Sequence, residues 1–185
     1  MMDMFIRLAA TTIFFMIAAV GFSQVNELST QIVIYEPLES KKSDMERFME
    51  AVAYRESKGN HRVVNQLGMM GKYQFSKTTL RGLRRDITPT QFLGNPFIQD
   101  TVMVMYLKAN NKLLNSIISK YDGKTFKGIR ITRSGVLAAA HLGGPGSVIS
   151  WFRNPDEAGL VDVNGTSIRE YMVKFAGYPI ERTLL

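Results

Sequence analysis

Three times along this chain a Ser or Thr stands three residues ahead of a Glu or Gln at the start of an apolar-periodic stretch: Ser43 with Glu46, Thr88 with Gln91, and Ser167 with Glu170. In such a capping box the hydroxyl accepts from a backbone N–H of the coming helix, while the longer side chain reaches back to the cap residue's own N–H. Ser76, Asn95-Pro96 and Thr132 or Ser134 add further start signals. They predict helices running to about Leu83, to about Lys120, and through His141 to a stop at Gly143-Gly144. Pro145 restarts a helix through Trp151, and Gly177 is the expected end of the last one. No internal repeat or interdomain linker interrupts the pattern. The fold class is mostly α, and 185 residues with 45% hydrophobic content suffice for one domain with a real core. The run Val136-Leu137-Ala138-Ala139-Ala140 predicts close helix packing.

Within the first helix, Met45, Phe48, Met49, Val52 and Ala53 recur at three- and four-residue steps, and the same stripe continues onto Glu56. A carboxyl group is thereby placed on an apolar face, near the helix end that Gly59 marks. Desolvation and the negative end of the helix dipole both disfavour the ionised form there, which is what a general acid requires. The competing reading is a Glu ion-paired with Arg55 or Arg62. Between Ser57 and Arg85 there is no Asp or Glu at all. Glycosidases that use the substrate's own 2-acetamido group need one enzymic carboxyl group instead of two, and this gap favours such chemistry. Asp100, Asp122 and Asp162 remain candidates for a second acid.

The N-terminus reads as a secretory signal: Arg7, an apolar run from Leu8 to Val20, and small residues at Gly21 and Ser23, with cleavage after Ser23. The apolar run is shorter than the roughly 20 residues a bilayer span needs, so no stable membrane anchor is expected. Removing residues 1–23 takes away Asp3 and Arg7, one charge of each sign, and leaves the formal +7 intact. An exported basic protein suits anionic wall polymers better than nucleic acid. Residues 24–42 read as an arm or edge strand, with Ile32-Val33-Ile34-Tyr35 alternating before Pro37, and residues 43–185 as the domain.

Other chemistries find little support. The chain has no cysteine and only two histidines, His61 and His141, far apart and without ligand spacing, so neither a metal site nor a cofactor is expected. There is no G-x-S-x-G nucleophile elbow. Asp162-Val163-Asn164-Gly165 lacks the later ligands of a calcium loop and reads as an Asn-Gly turn.

The segment Ala53-Tyr54-Arg55-Glu56-Ser57, followed by Asn60, Val64-Asn65 and Gly68-Met69-Met70-Gly71-Lys72-Tyr73-Gln74, resembles the soluble lytic transglycosylase pattern. In that pattern a Glu-Ser at a helix end precedes a Gly-rich loop closing on Gln. Asn95 through Leu107 resembles the family's next helix, and Ala140-His141-Leu142-Gly143-Gly144-Pro145-Gly146-Ser147-Val148 its last motif. The matched blocks span roughly Arg47 to Phe152. The resemblance implies a lysozyme-like fold acting on peptidoglycan glycan strands, and the signal segment sets that action in the periplasm or outside the cell. It implies cleavage between N-acetylmuramic acid and N-acetylglucosamine to a 1,6-anhydro product, with Glu56 as acid and base. Ser57, Asn65, Met70, Tyr73, Gln74 and His141 would be the substrate-binding residues by motif position. Ser57 as a helix-end cap, Gln74 as a partner of loop amides, and Met70 and Tyr73 as core are the alternative roles. A hydrolytic muramidase and a non-catalytic wall-binding protein are the alternative functions.

Two departures stand out. His141 and Leu142 occupy positions where the family has Tyr and Asn, so His141 is expected either to replace a hydrogen bond to Glu56 or to charge and stabilise its ionised form. Lys72 and Tyr73 stand in a normally apolar loop. Trp151 reads as helix packing rather than a sugar platform.

Overall fold

The computed structural model describes residues 41–155 and 165–180, all within one compact unit. The signal segment, most of the 24–42 arm and the Asp162 turn lie outside the described residues. Helix α1 (Asp44–Ser57) begins at the expected box, with Ser43 Oγ accepting from the Glu46 N–H and Glu46 bonding back to Ser43 N. Its buried residues are Met45, Phe48, Met49, Val52 and Ala53, the predicted stripe. The helix stops at Lys58, which adopts a left-handed φ of 57°, and Gly59 follows at 78°. Two successive left-handed residues turn the chain sharply away directly after Glu56 and Ser57.

Helices α2 (Lys77–Leu83), α3 (Pro89–Gly94) and α4 (Pro96–Leu113) start at Ser76, Thr88 and Asn95, each side chain accepting from the backbone as predicted. The long helix expected to reach Lys120 is instead broken. Leu114, at φ −98° and ψ 8°, separates α4 from α5 (Asn115–Tyr121), and the bend leaves both Leu114 and Ile118 fully buried. A two-residue hairpin follows, β1 (Thr125–Phe126) paired antiparallel with β2 (Ile129–Arg130). Lys127 and Gly128 both have positive φ, 47° and 74°, the combination a tight turn matched to strand twist requires.

Helix α6 (Arg133–Arg153) runs through the middle of the core, with Val136 to Ala140 all completely buried. Gly144, at φ 79° and ψ 160°, breaks it where the sequence predicts a stop, and Pro145 restarts it. Helix α7 (Ile168–Lys174) begins at the Ser167 box and ends three residues before Gly177, with Phe175 as its C-cap. Phe175 turns inward against Phe48 of α1, ring centroids 6.1 Å apart, so the helix closes on its apolar anchor before the glycine is reached. The small side chains of α6 let α7 lie close: a Cβ on Gly135 would stand 2.4 Å from the Met172 carbonyl oxygen. Trp151 packs edge-on against Phe126 and Phe152 and is buried, as expected.

Candidate active site

Glu56 lies half-buried on the last turn of α1, and its carboxyl group is claimed from the far end of the domain. Tyr171, on α7, donates its phenolic hydrogen to Glu56 Oε1 at 2.7 Å. Among the described residues neither Arg55 nor Arg62 pairs with Glu56; Arg55 turns instead to the Thr166 hydroxyl at 3.1 Å. Tyr171 is itself 2% exposed, one of a stripe of Ile168, Tyr171, Met172 and Phe175 that faces the core. A buried phenol needs a hydrogen-bond partner. That stripe was the available signal for Tyr171, which the sequence reading does not single out.

Ser57 donates from Oγ to the Lys72 carbonyl at 2.9 Å, stitching the helix end to the Gly-rich loop. The loop from Val63 to Phe75 is held by two isolated antiparallel bridges, Val64 with Met70 and Met70 with Phe75. Asn65 shapes its outer turn, Oδ1 accepting from the N–H groups of Leu67 and Met69, while the residue as a whole is exposed. Gln74 is half-buried, adopts a left-handed φ of 54°, and donates from Nε2 to the Gly71 carbonyl at 2.8 Å. Met70 and Tyr73, expected among the substrate-binding residues, are each 1% exposed. Their side chains lie beneath the loop, as their alternative role in the core requires. The Tyr73 hydroxyl donates to Asp100, and burial followed by that carboxylate pushes its titration far above the ordinary phenol range.

His141 resolves the question its position raised. Its Nε2 lies 2.8 Å from the Tyr73 carbonyl oxygen. A carbonyl only accepts, so Nε2 carries the hydrogen. Burial lowers its pKa from 6.5, opposed by the nearby charge of Glu56 and by the bond to Tyr73. The ring is therefore neutral near pH 7, with Phe75 and Tyr106 edge-on at 5.3 and 5.5 Å. It neither hydrogen-bonds Glu56 nor supplies a cation beside it. The hydrogen bond expected of it comes from Tyr171, and His141 secures the loop.

The candidates for a second acid are otherwise engaged. Asp100 holds Lys72 and Tyr73, and Asp122 accepts from the Arg133 N–H at 2.9 Å at the start of α6. Asp162 lies outside the described residues. The structure thus joins Glu56 to Tyr171 of α7 and ties Ser57 of α1 and His141 of α6 to the carbonyls of Lys72 and Tyr73, while Gln74 folds back on Gly71 within the loop.

A search of curated proteins finds no match, and neither does a search of solved structures. The family profile described as the Transglycosylase SLT domain, however, matches residues 35–160, well over half of the chain, and takes in the helix bearing Glu56, the loop through Gln74 and the His141 turn. A half-buried Glu at a helix end, tied to that loop by its neighbouring Ser, sits within this match: the chain belongs to the SLT transglycosylase family of lysozyme-like fold, whose members cleave the glycosidic bonds of peptidoglycan.

Proposed function

We propose that this enzyme is exported and cleaves the bond between N-acetylmuramic acid and N-acetylglucosamine with Glu56 as its only acid and base, releasing a 1,6-anhydromuramyl product. The observation that carries the reading is the half-buried Glu56 carboxyl group, held on Oε1 by Tyr171 and paired with no cation among the described residues. That arrangement leaves Oε2 to carry the proton that is transferred.

In the first step Glu56 protonates the oxygen bridging the two sugars. The C1–O bond breaks as the acetamido oxygen of the muramic residue attacks C1, giving a cyclic intermediate and releasing the N-acetylglucosamine hydroxyl. Glu56, now a carboxylate, takes the proton from the muramic C6 hydroxyl. O6 attacks C1, the acetamido ring reopens, and the acid is restored. No second carboxylate enters, in keeping with the engagement of Asp100 and Asp122 elsewhere. Ser57 and His141 hold the Gly-rich loop against the acid, and Asn65 and Gln74 present polar groups to the glycan.

Mass spectrometry of digested sacculi tests this. Products ending in the anhydro sugar support it, whereas reducing ends carrying an added water would establish a hydrolytic muramidase. Wall binding without turnover by either the wild type or Glu56→Gln would leave a binding protein. Export rests on the Arg7 to Ser23 pattern. Among the described residues no helix is long and apolar enough to cross a membrane. N-terminal sequencing of mature protein beginning at Gln24 would establish the cleavage, and retention of Met1 would exclude it.

A further inference from the structure

The dipeptide Lys72-Tyr73 works in two directions. Its carbonyls face the site, receiving Ser57 Oγ at 2.9 Å and His141 Nε2 at 2.8 Å. Its side chains face α4: Lys72 Nζ lies 2.8 Å from Asp100 Oδ1 and 2.9 Å from Oδ2, and the Tyr73 hydroxyl donates to Oδ1. The preceding residue of α4, Gln99, takes the Lys72 N–H on Oε1 at 2.8 Å. Two neighbouring residues of one helix therefore hold both the backbone and the side chains of the segment that meets Ser57 and His141.

Such a loop does not hold its shape unaided. Gly71 and Gln74, on either side of the dipeptide, have φ of 72° and 54°. A non-glycine residue in the left-handed region persists only where its surroundings over-determine it. Bonds from a rigid helix supply that constraint. The donors approaching Asp100 are an ammonium and a phenol; both reach Oδ1, the ammonium also meets Oδ2, and the negative charge strengthens each bond. An amide loses that charge and sets an NH2 group against the ammonium where Oδ2 accepted from it.

We propose that Asp100 is a positioning residue for Glu56: through Lys72 and Tyr73 it fixes the two carbonyls that hold Ser57 and His141, and so the direction in which the acid delivers its proton. This rests on Glu56 being the catalytic acid.

The test compares wild type, Asp100→Asn, Asp100→Glu, Tyr73→Phe and the Asp100→Asn/Tyr73→Phe double variant. It measures kcat and KM for muropeptide release from sacculi, melting temperature, and hydrogen exchange at His141 Nε2 by NMR. Displacements near 1 Å in an active site cost up to about a hundredfold in rate. Asp100→Asn is expected to lower kcat at least about tenfold, with KM within about threefold and the protein fully folded at the assay temperature. Tyr73→Phe should lose less in the same direction, the double variant should match Asp100→Asn alone because the lost bond is shared, and Asp100→Glu should recover part of the rate. Exchange at His141 should quicken in Asp100→Asn whether or not sacculi are cleaved, so an inactive wild type would remove the functional reading and leave the brace still measured. Unchanged exchange at His141, a wild-type kcat in Asp100→Asn, a rate loss that only follows the unfolded fraction, additive losses in the double variant, or no recovery with Glu would each overturn the proposal.

Discussion

Tyr171 and Glu56 are 115 residues apart in the chain and 2.7 Å apart across the site, and the phenol is the one hydrogen-bond donor that the described residues place on the acid. The contact links α7 to α1. It also makes the angle of the carboxyl group depend on how α7 packs against α6, a matter of core shape rather than of surface loops.

Replacing Tyr171 by Phe removes this bond while keeping the ring that packs against Phe175 at 5.2 Å. Hydrogen bonds to charged groups are worth about 1.5–3 kcal/mol, and about 1.4 kcal/mol of barrier is tenfold in rate. The variant should lose roughly tenfold in kcat on sacculi and about 1.5–3 kcal/mol in urea unfolding. A kcat equal to that of wild type would show that the phenol does not orient the acid.

Gly135 tests the same link from behind. A methyl group there meets the Met172 backbone oxygen at 2.4 Å, and a backbone cannot swing aside as a flexible side chain can. Overpacking of this kind costs about 1–3 kcal/mol, more than the roughly 1 kcal/mol an Ala gains over Gly in helix propensity. Gly135→Ala should therefore lower stability in denaturant titrations. It should also lose activity at temperatures where it is still folded, because Tyr171 precedes the residue that is displaced. Full activity in a destabilised variant would separate helix packing from the acid.

Helix starts were legible because capping is local: Ser43, Ser76, Thr88, Asn95, Thr132 and Ser167 all act within a few residues of their own position. Glu56 was legible for the same reason, since a stripe and a helix end lie within one segment. The break at Leu114 and the early end of α7 were not, because each follows from what the side chains bury rather than from a Gly or Pro. The burial of Met70 and Tyr73 could not be read from their motif positions, because such a position fixes the backbone path and not which way a side chain points. His141 stood at the right place with a different role: its partner, the Tyr73 carbonyl, carries no sequence signal at all.

Gln99 is fully buried and satisfies three backbone groups at once. Its Nε2 donates to the carbonyls of His61 and Phe92, each at 2.8 Å, and its Oε1 accepts from Lys72. Gln99→Leu keeps the bulk and strands all three. An unsatisfied buried polar group costs about 1–3 kcal/mol, so a loss of about 3 kcal/mol or more is expected, together with loss of activity as the Gly-rich loop loosens. A loss below about 1 kcal/mol in chemical denaturation would mean that water replaces these bonds and that the loop is held by Asp100 and the bridges instead.

His141 should also leave a mark on stability against pH. Burial depresses its pKa below 6.5 in the folded protein, with the Glu56 charge and the Tyr73 carbonyl opposing the shift. Between the folded and unfolded values the unfolded chain binds the additional proton, so stability rises with pH in that window. The contribution is complete above about pH 6.5, falls away as the pH drops toward the lower folded value, and is flat below it. His141→Gln keeps a donor for the Tyr73 carbonyl and does not titrate. The difference in unfolding free energy between wild type and this variant should therefore decline from pH 7.5 to pH 5, while carboxylate titrations common to both cancel. A difference that stays constant over that range would show that the imidazole is as readily protonated folded as unfolded, and that Glu56 gains a cationic neighbour once the pH falls below about 6.5.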